Sequence, residues 1–229
     1  MVGQDISIVC ENGEIPAYFS EPKVDNGPGV IIISAIFGVD DDTKKMCDKL
    51  AESGHPAMAL NMFWKDEIDS GPLLLENYDR AIARAQRVDR KSGNAYIRAS
   101  IDKLKSASSC DGKVAVFGFC YGGPYAVEAA AHLGVDGAIS FHGSYIEKFL
   151  EEFKNINCPI DFHFGDNDNV APMDVIRLVE AECSKLEDAN VFVYSGGAHG
   201  YMFPNRGDGY HAKAAELSWD RAIEFLKKI

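Results

Sequence analysis

Cys120 is flanked by glycine two positions away on either side, in the stretch Gly118-Phe119-Cys120-Tyr121-Gly122-Gly123. A nucleophile centred between glycines at this spacing is the pattern of a sharp strand-to-helix turn, here with a thiol where a hydroxyl is commoner. The spacing has a steric cause. The backbone at the tip of such a turn is strained, the chain on both sides crosses closely, and a Cβ at a flanking glycine would clash. The turn exposes the sulfur and sets it at a helix N-terminus, where the backbone dipole favours a thiolate. The competing reading is an inert cysteine beside glycines that serve a dinucleotide or a tight turn. The order Gly-x-Gly-x-x-Gly is missing and no acidic residue ends the next strand, so the nucleophile is the reading adopted. Cys10, Cys47, Cys110, Cys158 and Cys183 have no such setting and read as structural.

A cysteine nucleophile needs a base within hydrogen-bond reach, and the base needs an orienting partner. In elbow chemistry the acid follows the nucleophile in the chain and the histidine comes last. The stretch Phe164 to Pro172 lies past one apolar strand and before a helix, and offers Asp166 and Asp168. The stretch Tyr194 to Tyr201 lies past the last strand and holds His199 among glycines, in a loop where it cannot be a core residue of a helix face. Acid and histidine thus emerge in the required order. Of the remaining histidines, His142 ends a strand near the same end of the sheet and is a candidate to line a substrate. His55, His132, His163 and His211 read as strand, core or helix-end residues. The loop Asn61 to Pro72, with Phe63 and Trp64, together with Tyr121, Tyr145 and Tyr201, is expected to form an apolar rim over the cysteine.

Positioning these groups requires strands that deliver loops to one edge. Ile6 to Cys10 and Ile15 to Phe19 alternate about Asn12-Gly13, which predicts an antiparallel hairpin at a sheet edge. Gly29 to Ala35 is a continuous β-branched run, as expected for a strand covered on both faces. His55 to Leu60, Val114 to Phe117, Val135 to Phe141, Ile160 to Phe164 and Val191 to Tyr194 are further short strands. Helices are predicted from about Asp41 to Ser53 with Asp41 or Asp42 as cap, Leu73 to Val88 with Leu75, Tyr78, Ile82 and Ala85 as its apolar stripe, Asn94 to Leu104, Gly122 to Leu133, Pro172 to Leu186 and Tyr210 to Phe225. Pro172 suits a first-turn position, where its missing N–H is no loss. The alternation predicts one α/β domain over residues 1–229, with about eight mostly parallel strands and helices on both faces. Functional groups of such sheets collect outside the carboxyl ends of the strands.

The composition excludes other classes. With 46% hydrophobic residues in 229, the chain can bury a sizeable core and is not a disordered segment. Lys plus Arg number 23 against 35 Asp plus Glu, a net charge of −12, which repels nucleic acid at long range. Arg80, Arg84, Arg87, Arg90 and Lys91, interrupted by Asp79 and Asp89, read as a solvated helix face. No run of apolar residues reaches membrane-spanning length and no signal-peptide pattern opens the sequence, so a cytoplasmic setting is the expectation. The cysteines are widely spaced, with no C-x-x-C pair and no histidine at metal spacing. Free thiols are therefore expected, with neither metal nor organic cofactor.

The sequence resembles the dienelactone hydrolase family (carboxymethylenebutenolidase-like proteins) of the α/β-hydrolases over nearly its whole length. The resemblance rests on Ile36-Phe37-Gly38-Val39, the Gly118 to Gly123 elbow, Gly165-x-x-Asp168-x-x-x-Pro172 and Ala198-His199-Gly200-Tyr201. It implies a Cys120, Asp168, His199 triad, its aspartate being the one placed four positions before the proline. It also implies an oxyanion hole from the backbone N–H groups of Ile36 and Tyr121. Members like the founding type carry a glutamate directly before Ile-Phe-Gly, which holds the resting cysteine and helps activate it when substrate arrives. That position is Ala35 here, so His199 is expected to hold the thiol directly. Such enzymes also grip a substrate carboxylate with two arginines, for which Arg80 and Arg206 are the nearest matches. The implied reaction is hydrolysis of an ester or enol-lactone by a monomer or weak homo-oligomer. A broader carboxylesterase or thioesterase for small acyl groups, and a non-catalytic binding protein on a hydrolase scaffold, are the alternatives. Intact Cys, Asp and His speak against the second.

Overall fold

The computed structural model describes residues 2–24 and 26–229. Its strands form an eight-stranded, mostly parallel sheet. They are β1 (Gln4–Cys10), β2 (Gly13–Ser20), β3 (Gly27–Ile33), β4 (Ala57–Leu60), β5 (Cys110–Phe119), β6 (Gly137–Phe141), β7 (Ile160–Gly165) and β8 (Ala189–Tyr194). They are ordered β1-β2-β4-β3-β5-β6-β7-β8. Helices α1 (Asp41–Glu52), α2 (Tyr78–Arg87), α3 (Arg90–Lys105), α4 (Gly123–His132), α5 (Met173–Cys183) and α6 (Ala212–Leu226) cover the two faces. This is the α/β-hydrolase arrangement. Among the described residues, no helix is long and apolar enough to cross a membrane.

The chain forms two compact units, Met1–Ala115 and Val116–Ile229. In the first, β1 and β2 make the antiparallel edge hairpin, with Ile8 opposite Ile15. β3 and β4 run parallel, Ile31 beside Met58. Residues Val30 to Ile33 are wholly buried, which accounts for their unbroken apolar run. In the second unit β6, β7 and β8 run parallel in register, Phe141 beside His163 and His163 beside Phe192. Their carboxyl ends therefore deliver three loops side by side.

Several expectations need correction. The cap of α1 is Asp40, whose carboxylate accepts the Thr43 N–H at 2.9 Å, and not Asp41 or Asp42. Pro172 is the residue before α5, in extended backbone, and not its first turn. α3 begins at Arg90 because Asp89 caps it through the Ser92 N–H. A ten-residue 3₁₀ stretch, Ile146–Asn155, follows β6 where the pattern suggested no element. The residues predicted as one helix from Leu73 form a 3₁₀ turn, Leu75–Asn77, and then α2, whose buried residues are Ala81 and Arg84 and not the expected stripe.

Arg84 is the largest departure. It was expected on a solvated face and is fully buried. Its guanidinium lies 4.1 Å over the Phe63 ring. It donates to the Ile36 carbonyl from Nε at 3.0 Å and Nη2 at 2.8 Å, to the Asp69 carbonyl at 2.7 Å, and to the Gly71 carbonyl. One planar fork thus ties the turn after β3 to the end of the 61–72 loop. Arg87 adds a bidentate pair to Asp66, at 2.7 and 2.9 Å. The loop that lacked any periodicity is pinned by arginines of α2.

Candidate active site

β5 is buried from Val114 to Phe119, and Cys120 begins a single 3₁₀ turn that leads into α4. Cys120 has φ of 53°, a left-handed conformation that costs about 1–2 kcal/mol in a non-glycine residue. Gly118 is what makes the turn possible: a Cβ there would lie 2.1 Å from the Gly122 carbonyl oxygen. The elbow is therefore present, for the steric reason its spacing implied. Two more non-glycine residues with positive φ, His142 (37°) and Tyr145 (58°), follow β6. The strained backbone of the second unit is gathered around the sulfur, as expected of a site whose geometry outranks local preference.

The loop after β8 brings His199 to Cys120, with Nε2 3.1 Å from Sγ. The loop after β7 brings Asp168 to the other side of the ring, where Nδ1–H donates to Oδ2 at 2.9 Å and faces Oδ1 at 3.1 Å. Asp168 also accepts the N–H groups of Val170 at 2.8 Å and Ala171 at 3.1 Å, so its carboxylate is held by its own loop as well as by the histidine. Asp166, the other acid at this strand end, accepts the Gly196 N–H at 2.7 Å and serves as a tie between the two loops.

The charges follow from these contacts. Burial opposes ionisation of the Cys120 thiol, but the adjacent imidazole, the hydrogen bonds from His199 and Ser144 and the Tyr121 N–H prevail, and the thiol lies below its ordinary value. Burial likewise opposes protonation of His199, but the sulfur and Asp168 outweigh it and raise the imidazole to about 10. Asp168, despite burial, is held below the usual carboxylate range by His199 and the two N–H groups. Each of Asp168, His199 and Cys120 thus favours the charged form of its neighbour. By contrast, burial pushes Cys158 and Cys183 up to about 12, and Cys47 is raised further still.

Two neighbours complete the cluster. His142 is wholly buried, its ring centroid 5.1 Å from that of His199 and edge-on to it. Burial, then the His199 charge, drive it well below the ordinary histidine range, so it is a neutral ring beside the base. Ser144, two residues on, places its hydroxyl 3.3 Å from Cys120 Sγ and 3.5 Å from His199 Nε2. Sequence reasoning named His142 and Tyr145 and passed over Ser144 between them. The rule that selected the others, a polar side chain just past a strand's carboxyl end, applies to it equally.

The remaining candidates are distributed as follows. Arg206 lies with its guanidinium 5.2 Å over the Phe203 ring, and its Cγ is 3.4 Å from where a Cβ on Gly200, the residue after His199, would lie. Tyr145 is half exposed, with Lys148 Nζ 4.4 Å over its ring. Tyr201 is corrected from rim to core. It is fully buried, its hydroxyl is shared with Ser218 at 2.7 Å, and it stands behind His142. Phe63 is likewise core, beneath Arg84. In the first unit, Trp64 meets Tyr96 edge-on at 5.8 Å, and Arg80 is engaged by the Asp69 carboxylate and by Asn77 Oδ1 at 2.7 Å. Ile36 is the residue whose carbonyl Arg84 holds.

Residues 15–229 match the model of the dienelactone hydrolase family. The chain is 29% identical over 232 residues to a carboxymethylenebutenolidase of a Pseudomonas species, covering 100% of this chain and 97% of that one. It is 26% identical over 229 residues to the carboxymethylenebutenolidase of Pseudomonas putida, covering 99% and 97%. A solved dienelactone hydrolase-like promiscuous phosphotriesterase from metagenomic libraries is similar in fold, with a TM-score of 0.81 at 21% identity over 99% of this chain and 97% of that chain.

Proposed function

The chain belongs to the dienelactone hydrolase family, and from that premise we propose that it cleaves a small carboxylic ester or enol-lactone through an acyl-thioester on Cys120. The observation that carries this reading is the unbroken relay from Asp168 through His199 to Cys120, with steps of 2.9 and 3.1 Å.

The steps balance on residues of this chain. His199 holds the proton of Cys120, leaving a thiolate. The sulfur pair attacks the carbonyl carbon, an S–C bond forms and the carbonyl π pair moves to oxygen, towards the N–H of Tyr121. Such a donor, aimed where charge develops, supplies about 3 kcal/mol of barrier lowering. The intermediate collapses by breaking the C–O bond, and the leaving oxygen takes the proton from His199 Nε2. Water then gives a proton to His199, its oxygen bonds to the acyl carbon, and the S–C bond breaks with its pair returning to sulfur. Asp168 accepts from Nδ1 throughout and keeps the ring in the tautomer and orientation the transfers require.

Arg80 already spends its charge on Asp69, which weighs against its gripping a substrate carboxylate. The match over residues 15–229 supports a single catalytic domain. All six cysteines are free, which fits a reducing, cytoplasmic setting. The test is a panel of a dienelactone, simple aryl esters and acyl thioesters, assayed with the parent and with Cys120→Ser. Turnover of at least one class that falls by about a thousandfold or more in Cys120→Ser is expected. Equal turnover by both proteins would overturn the reading.

A further inference from the structure

The sulfur of Cys120 has a second polar neighbour that the triad does not account for. Ser144 is buried, and its main-chain N–H donates to the Cys120 carbonyl at 3.0 Å. This bond, together with the positive φ of His142 and Tyr145 on either side, turns the loop after β6 back onto the elbow. The His142 N–H, bonded to the His163 carbonyl at 2.7 Å, anchors the start of the same loop to β7. The hydroxyl is therefore placed by backbone contacts, independently of the sulfur it reaches.

Sγ, His199 Nε2 and Ser144 Oγ form a triangle with sides of 3.1, 3.3 and 3.5 Å. The triangle contains few protons, and their placement decides its chemistry. Nδ1 of His199 is committed as a donor to Asp168. When the sulfur is a thiolate, Nε2 carries a proton and donates to it. The serine hydroxyl then has one acceptor in reach, the same sulfur. When the sulfur is a thiol, the one Nε2 lone pair accepts either from S–H directly or from the serine hydroxyl, which can in turn accept from S–H. In the ion-paired state both Nε2–H and the serine hydroxyl donate to the charged sulfur, and a hydrogen bond made to the charged form favours that form.

We propose that the Ser144 hydroxyl is a catalytic group of this chain, a second side-chain donor to the Cys120 sulfur beside His199, that holds it as a thiolate before substrate arrives and receives it again as the leaving group when the thioester is hydrolysed. The proposal rests on the thioester reading above. It makes the nucleophile armed in the free enzyme, so that no carboxylate on the substrate is needed to switch it on. The charged and titratable groups facing the triangle are His199 from the loop after β8, Asp168 from the loop after β7, the neutral His142 from the end of β6, and Arg206, whose charge is felt at His142. None of these contributes a donor to the sulfur except His199.

The experiment is alkylation of Cys120 by iodoacetamide, an uncharged probe, followed by peptide mass analysis from about pH 4 to about pH 9. Parent, Ser144→Ala, Ser144→Gly and Ser144→Thr are compared, each checked for a native unfolding transition. The parent is expected to show a wave of reactivity below the ordinary thiol range. Both variants without the hydroxyl should move that wave up by about one pH unit, with reaction about tenfold slower below the midpoint and no slower above it. Ser144→Thr, which restores a hydroxyl, should return the wave towards the parent position. Superimposable parent and Ser144→Ala profiles, or a threonine variant displaced as far as the alanine, would overturn the proposal while leaving the thioester reading standing. Absence of any low-pH wave in the parent would overturn both.

Discussion

Gly165 and Gly197 touch backbone to backbone. A Cβ on Gly165 would lie 2.0 Å from the Gly197 carbonyl oxygen, and the Asn167 N–H donates to that same carbonyl at 3.0 Å. One of these loops carries Asp168 and the other His199, so their crossing fixes how far the acid stands from the base. Gly165→Ala is expected to cost about 2–4 kcal/mol of stability, since the atom it meets is main chain and not a flexible side-chain end. Urea unfolding measures this, and ester turnover below the unfolding range should fall as the two loops part. An unchanged midpoint and rate would show that the crossing yields freely.

The two aspartates past β7 should separate cleanly. Asp168→Asn keeps the shape of the side chain but removes the charge that orients and stabilises the His199 imidazolium, and kcat is expected to fall by about 10⁴-fold, as removing the acid does in other relays of this kind. Asp166→Asn still offers an oxygen to the Gly196 N–H and should stay within about threefold of the parent. Comparable losses in the two variants would contradict the assignment of Asp168.

His199 should hold its proton far above an isolated imidazole, releasing it near pH 10. Because its folded value is raised, its contribution to stability is complete below about pH 6.5 and is lost as pH rises through about 10. Cys120, whose value is depressed, contributes in the opposite sense, present above the ordinary thiol range and lost as pH falls through its folded value. Nitrogen NMR of the imidazole should show the high transition in the parent and a markedly lower one in Cys120→Ala, which removes the sulfur's charge but leaves Asp168. Identical transitions in the two proteins would mean that no ion pair exists.

Arg84 binds three main-chain carbonyls, in two segments of the first unit, from within its core. Neither lysine nor alanine can reproduce a planar fork with several donors. Arg84→Lys is expected to destabilise by about 2 kcal/mol and Arg84→Ala by about 3–5 kcal/mol, through carbonyls left buried and unpaired. Chemical denaturation reads both, and a lysine variant as stable as the parent would refute the role of the fork.

Whether a feature is legible in the sequence depends on whether its signal is local. The strands were legible because Val30 to Ile33 is an unbroken apolar run and Ile160, Phe162 and Phe164 alternate with polar residues, each bounded by turn residues. Cys120 was legible because Gly118 has a steric duty that fixes its spacing. His199 stood out as a histidine among glycines. Asp168 and Asp166 could not be separated by type or element, since both follow the same strand. What distinguishes them is the tertiary distance to His199, and only the family likeness pointed to one of them. Ser144 was overlooked because a serine beside a glycine reads as turn chemistry until the β5 and β6 loops are seen together. Arg84 was misread because charge patterning on α2 is shared by Arg80 and Arg87, and no local feature says which arginine turns inward to meet backbone carbonyls that the sequence does not display. Asp40 was missed as a cap for a smaller reason, being one of three successive aspartates with equal claim.

The central claim is that Cys120 carries the acyl group. An activated aryl acetate mixed with the enzyme, quenched in acid within a single turnover and digested, exposes that intermediate to peptide mass analysis. The account predicts one acetyl group on the peptide containing Cys120, lost on standing with hydroxylamine, and none in His199→Ala under the same conditions. Acetyl found on another residue, or turnover of the ester with Cys120 never modified at any quench time, would contradict it.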